Sequence, residues 1–243
     1  MNVVAGFFKS TLGRKYVMAL SGIGLFIFVV GHMIGNLQIF LGPESINRYG
    51  AFLQGTGELL WVARIGLLAL VLLHVWAAIS LSAENKAARP VSYGNYNPVG
   101  SSYASRTMLM SGLIIACFII YHLLHYTVQI QGINGTGQDF KLLHDAKGRH
   151  DVYGMMVLGF KQPVVSLFYI IGMVLLSLHL SHGVSSMSQS LGLKSRGWAP
   201  AIDGFAKFIA IALLVGYCSI PIDRKSTRLN SSHVSESRMP SSA

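Results

Sequence analysis

The sequence predicts an all-α membrane protein in which five transmembrane helices form a bundle. Of its 243 residues, 52% are hydrophobic and only 12% are charged, whereas soluble domains carry about 25% charged residues. The mean hydropathy of +0.51 agrees. Five apolar runs each approach the roughly 20 residues that cross about 30 Å of hydrocarbon. These runs cover residues 16–41, 59–81, 108–130, 163–187 and 202–222.

The first run is predicted to be a retained helix with its N-terminal end in the cytoplasm. It is longer than the roughly 7 to 15 apolar residues of a cleaved signal sequence, and no small-residue cleavage site follows it. Lysine and arginine are more frequent in the loops on the N-terminal side, which the positive-inside rule assigns to the cytoplasm. The eight cations on that side are Lys9, Arg14, Lys15, Lys86, Arg89, Arg106, Lys194 and Arg196, against Arg48, Lys141, Lys147, Arg149 and Lys161 opposite.

Cysteine usage and charge distribution exclude several classes of protein. Cys117 and Cys218 lie in different apolar runs without a CxxCH motif or paired spacing. This argues against covalently attached haem, an iron–sulfur cluster or a zinc site on this chain. The formal net charge of +10 is scattered over short loops instead of forming one basic face, which argues against nucleic-acid binding.

The last 21 residues change abruptly from apolar sequence to DRKSTRLNSSHVSESRMPSSA. One interpretation is a disordered terminus. However, DRKSTRLNSSH matches a reading frame of a common sequencing adapter, and SRMPSSA resembles its continuation. We therefore expect residues 223–243 to be non-native read-through and residues 1–222 to form a single transmembrane domain.

One histidine falls in each of the first four apolar runs, at His32, His74, His122 and His179. An unpaired imidazole in lipid costs several kcal/mol, so these residues predict a functional site. In the predicted topology His32 and His122 lie in the outer half of the membrane, and His74 and His179 in the inner half. Two imidazoles that face each other suit a low-spin haem iron, so the pattern predicts two stacked haems held without covalent attachment.

Two further histidines compete for these roles. His125 follows His122 by three residues and His182 follows His179 by three, so each pair shares roughly one helix face. His144 and His150, in a polar segment, are interpreted as solvated surface residues.

Small residues, notably Gly22, Gly24, Gly31 and Gly35 in the first run, would let helices approach closely or make room for a flat macrocycle.

Four motifs in order carry a resemblance to a known family. They are LGRKYVMALSG leading into GHMIGNL, then LLHVWAAISL, then RTMLMSG followed by YHLLHY, and finally LHLSHGVSSMSQSLGL. Over about residues 8–220 the chain resembles the five-helix, di-haem cytochrome b558 anchor subunit of succinate dehydrogenases and related fumarate reductases. The resemblance implies a single transmembrane cytochrome b domain.

The resemblance also implies particular ligands and partners. His32 and His122 would hold the outer haem b, and His74 and His179 the inner one. His125 and His182 become second-tier candidates, because the first histidine of YHLLHY and the one four residues before Gly183 match the family pattern. FAD and iron–sulfur clusters would belong to a flavoprotein subunit and an iron–sulfur subunit on the cytoplasmic face of a bacterial inner membrane. Electrons from succinate oxidation in the tricarboxylic acid cycle would then pass from the iron–sulfur subunit through the two haems to a quinone, with menaquinone expected.

Quinone reduction needs a proton donor near the carbonyl oxygens. Glu58, just before the second run, is the candidate by position, and Glu44 is the alternative. An ordinary interfacial acid is an equally good interpretation of Glu58. Arg106 is a candidate ligand of a haem propionate, although it could equally extend to lipid phosphates, as could Arg14, Lys15 and Arg89.

Three other functions compete with this interpretation. The haem b anchor of a hydrogenase or formate dehydrogenase also uses intramembrane histidines, but typically with another helix count and histidine distribution. A transporter or proton channel would thread its histidines along one pathway. A purely structural anchor would satisfy them by hydrogen bonds between helices.

Overall fold

The computed structural model describes residues 3–88 and 101–223, and this part of the chain is helical without a β-strand. Arg89 lies outside the described residues, as do residues 224–243 of the predicted read-through. The helices are α1 (Val3–Lys9), α2 (Thr11–Leu37), α3 (Pro43–Gly55), α4 (Glu58–Ala87), α5 (Tyr103–Arg106), α6 (Met108–His122), α7 (Val152–Lys161), α8 (Pro163–Ser190) and α9 (Ala199–Ile222).

Five helical segments are long and apolar enough to cross a membrane, which confirms the predicted number. They are Thr11–Leu41, Glu58–Ala87, Met108–Thr127, Pro163–Ser190 and Ala199–Ile222. Most extend past the predicted bounds because helices continue into polar flanks that an apolar run does not include. The third ends three residues before its predicted limit, because Gln129 takes a left-handed backbone conformation with φ of 59°.

Large apolar side chains lie exposed along these five segments. Examples are Ile27 on α2, Leu72 on α4 and Phe208 on α9, which are each about 60% exposed or more. A helix interior satisfies all of its backbone hydrogen bonds, so such faces are stable against hydrocarbon. The five segments therefore indicate a multi-pass helical membrane protein whose apolar faces are compatible with a lipid bilayer.

The described chain divides into two compact units. The first contains residues 3–31, 58–88, 101–117 and 174–214, and the second contains residues 32–57, 118–173 and 215–223. Whether residues 1–222 behave as one domain stays a prediction. In the first unit an ion pair joins α2 to α4, with the Arg14 guanidinium 2.9 Å from Glu84, whose other carboxylate oxygen accepts a hydrogen bond from Thr11.

A buried asparagine joins α3 to α7 in the second unit. The Asn47 side chain donates to Asp151 at 2.9 Å and accepts from the backbone N–H of Tyr153 at 2.9 Å. Asp151 in turn caps α7 by accepting from the Gly154 N–H. An apolar cluster of Ile39, Ile46, Met156 and Ile220 completes this packing.

A cluster of charges lies in the polar segments of the second unit. Glu44 pairs with Arg149 at 2.7 Å and Lys147 at 3.0 Å, and Arg149 also pairs with Asp145 at 2.6 Å. The hydrogen bonds from Arg149 and Lys147 lower the pKa of Glu44 to about 2. The Arg149 guanidinium likewise lowers the pKa of Asp145 to about 2.

These shifts predict a loss of stability in acid. Because both carboxyl groups have a lower pKa in the folded protein, their contribution is present above their ordinary values of 4.5 and 3.8 and is lost as the pH falls toward about 2. The thermal unfolding midpoint should therefore fall over this range, and less steeply in Glu44→Gln. The exposed acid Glu58, replaced by Gln, is the matched control. Equal slopes for Glu44→Gln and the unmodified protein would contradict the prediction.

Candidate functional site

Two of the predicted histidines face each other in the first unit. His74 lies on α4 and His179 on α8, and their ring centroids are 6.3 Å apart with an angle of 65° between the ring planes. The sequence predicted this pair from depth alone. Apolar residues flank both histidines in the sequence, in LVLLHVWAA on α4 and MVLLSLHL on α8, so imidazoles there require hydrogen-bonding or metal partners.

Each ring of this pair packs against a serine and the glycine that follows it on another helix. The Nδ1 atom of His74 lies 3.2 Å from Ser21 Oγ, and Nδ1 of His179 lies 3.4 Å from Ser111 Oγ. A Cβ atom at Gly22 would lie 3.4 Å from Cε1 of His74, and one at Gly112 would lie 3.3 Å from Cε1 of His179. The imidazoles therefore pack directly on bare helix backbone.

The other predicted pair lies in the second unit. The ring centroids of His32 and His122 are 5.8 Å apart, with an angle of 82° between the planes. Phe118 stacks near His122 with centroids 6.1 Å apart, and Tyr217 lies at 6.3 Å from His32. Aromatic rings thus lie around this pair, whereas serine hydroxyl groups contact the His74–His179 pair.

Tyr169 connects His122 to the second-tier candidate His125. Its hydroxyl oxygen lies 3.2 Å from Nδ1 of His122 and 3.1 Å from Nδ1 of His125. A π-helical turn over Leu123–Thr127 directly follows His122. The two histidines therefore face one phenol, which agrees with the predicted common face. His125 is fully buried, and its Nε2 atom has no hydrogen-bond partner among the described residues.

The separation within each pair would allow both imidazoles to hold one metal ion. Metal–imidazole bonds are about 2.0–2.1 Å long and the ring centre lies about 1 Å behind the nitrogen, so two imidazoles on opposite sides of a metal have centroids about 6 Å apart. The observed 5.8 Å and 6.3 Å fit this distance. A bis-histidine haem takes only two ligands from the protein, because the macrocycle supplies the others. Among residues 3–88 and 101–223, no group of three or more His, Cys, Asp or Glu is arranged to hold a metal ion.

The other predicted residues have more ordinary surroundings. Arg106 is exposed and donates to the Ser101 carbonyl at 2.7 Å. Glu58 is exposed in the first turn of α4, where a negative charge favours the helix dipole. Glu44 is held by Lys147 and Arg149. His182 lies half-buried on α8, whereas it is His179 that faces His74.

Sequence reasoning missed Ser21, Ser111 and Tyr169, which contact the predicted ligands. A signal existed for the serines, because Ser–Gly precedes a histidine by eleven residues twice, from Ser21 to His32 and from Ser111 to His122. Tyr169 has no comparable signal.

Comparison of the chain with models of known protein families, with curated proteins and with solved structures yields no match.

Proposed function

We propose that this chain is the membrane-anchor cytochrome b subunit of a succinate:quinone oxidoreductase. It would pass electrons from an iron–sulfur subunit through two haems b to a quinone, with menaquinone expected. The observation that supports this most strongly is the presence of two close histidine pairs on membrane-length helices, each at a separation that would let both imidazoles hold one iron.

Each haem would supply a one-electron centre once bound. The protein's own part is to hold and orient the imidazoles. His74 and His179 would hold the inner haem, and His32 and His122 the outer one. The apolar side chains around them would limit the access of water to a bound haem and so influence its reduction potential.

Proton delivery to the quinone is assigned to Glu58. Its position at the start of α4 and its exposure let it exchange protons with solvent. Glu44 is less suited, because its pKa of about 2 and its two cationic partners keep it ionised at neutral pH. Arg106 remains the candidate for a propionate contact in the first unit.

Purification of the tagged full chain from its native membrane tests the assignment of partners. We expect it to bring down a subunit with covalently bound flavin and an iron–sulfur subunit, together with succinate-dependent quinone reduction. Glu58→Gln should lower quinone reduction on the order of 100-fold, the lower end of what loss of a general acid costs, with unchanged haem content. Recovery of a hydrogenase or formate dehydrogenase with the chain would contradict the proposal.

A further inference from the structure

A hydroxyl oxygen lies beside Nδ1 of the proposed ligands His74, His122 and His179. Ser21 lies at 3.2 Å from His74, Ser111 at 3.4 Å from His179, and Tyr169 at 3.2 Å from His122. The hydrogen bond at one ring nitrogen decides which nitrogen carries the proton and which can bind a metal. The direction of these hydrogen bonds therefore bears on the function of the pairs.

The two serines can act as acceptors, since other acceptors are available for their protons. The Ser21 hydroxyl donates to the Val17 carbonyl at 2.7 Å, its shortest contact. The Ser111 hydroxyl donates to the Met108 carbonyl at 3.1 Å, closer than its imidazole partner. A serine has one proton to donate, so each oxygen then accepts from Nδ1–H of its histidine. The His74 ring also hydrogen-bonds to the Met18 backbone, an acceptor that favours a proton on the same side of the ring. This leaves Nε2 of His74 and His179 unprotonated.

Tyr169 can support the same tautomer of His122 by another route. Its oxygen lies near Nδ1 of both His122 and His125, and a phenol can donate only one proton. If the proton goes to His125, the oxygen accepts from Nδ1–H of His122 and frees its Nε2. His125 would then accept the phenol proton at Nδ1 and carry its own proton at Nε2, so that nitrogen would not bind a metal.

We propose that Ser21, Ser111 and Tyr169 are positioning residues that fix the Nε2-binding tautomer of His74, His179 and His122 and lower the reduction potential of the haem that each pair holds. The inference rests on the proposed haem binding. An acceptor at Nδ1–H makes an imidazole a stronger electron donor, which favours the oxidised metal. Neutral hydroxyl acceptors would thus tune the two centres separately, the serines acting on one and the tyrosine on the other.

The bare backbone beside the serines fixes how the rings lie. A methyl group at Gly112 would approach Cε1 of His179 to 3.3 Å, which requires the ring to move by a few tenths of an ångström. That movement would lengthen the contact with Ser111. Gly112→Ala should therefore act in the same direction as loss of the Ser111 hydroxyl. Gly66→Ala on α4 is the matched control, because a Cβ there meets nothing within 4 Å.

The test is a redox titration of the full-length protein in which the optical spectrum reports the reduction of each haem. In Ser21→Ala combined with Ser111→Ala, the haem assigned to His74 and His179 should become easier to reduce by a factor on the order of ten, or about 59 mV for one electron. The other haem should keep its potential. Tyr169→Phe should give the reverse pattern, raising the potential of the haem assigned to His32 and His122 alone.

Matched variants separate tuning from a general loss of structure. Ser188→Ala on α8 removes a hydroxyl that donates to the Val184 carbonyl, so both potentials should stay unchanged. Ser21→Thr and Ser111→Thr keep the acceptor and should restore the original potential. Two haems with unchanged potentials in the serine and tyrosine variants would overturn this inference while leaving the proposed function in place. A protein without haem would overturn the proposed function itself.

Discussion

Replacing His74 or His179 with alanine should remove one of the two proposed haems and leave the other. Both residues belong to the first unit and their ring centroids lie 6.3 Å apart, so either substitution would leave a single imidazole at the proposed site. The His32–His122 pair lies in the second unit and is not altered. Haem content should fall from about two to about one per chain, read from the reduced-minus-oxidised spectrum and from extracted haem.

His182→Ala is the matched control for this prediction. It removes a histidine one helical turn from His179 on α8 and should keep both haems. Loss of a haem in His182→Ala but not in His179→Ala would show that the wrong member of LHLSHG was assigned. Retention of both haems in His74→Ala would contradict the inner pair.

The second large effect is expected at the other pair. His122→Ala should remove the haem assigned to His32 and should lower quinone reduction on the order of 100-fold, because electrons would no longer reach the outer side. The remaining haem should keep its spectrum. Covalent flavin in the partner subunit would show that the complex still assembles.

His125→Phe tests the choice between the two histidines that contact Tyr169. Phenylalanine fills a similar volume beside Tyr126 and Phe140, which stack on His125. It removes Nδ1, which contacts Tyr169, together with the buried Nε2 atom, and the Tyr169 oxygen can still accept from Nδ1–H of His122. Both haems should remain. A haem lost in His125→Phe and kept in His122→Ala would reverse the assignment.

The sequence was sufficient for the spans and the pairing of histidines. An apolar run of about 20 residues has few structural solutions, because unpaired backbone groups are costly in lipid. The number of residues between a histidine and the end of its run then gives its depth, at 1.5 Å per residue. This arithmetic paired His74 with His179 and His32 with His122, as the structure has them.

The contacts around the rings could not be read in the same way. Which helix presents Ser21 to His74, or Tyr169 to His122, depends on the rotation of each helix about its axis, and apolar runs that face lipid leave that rotation open. The π-helical turn after His122 shifts the following residues and is not encoded in hydropathy. The contacts of Asn47 and Arg149 likewise join segments about 100 positions apart in the chain.

Haem content per chain, measured on the full-length purified protein, is the most direct test of the account. Extraction and quantification of the haem should give two non-covalently bound haems b for each polypeptide, with a sharp reduced α-band typical of two histidine ligands. One haem would contradict one of the pairs. The absence of haem would contradict the function proposed for all four histidines.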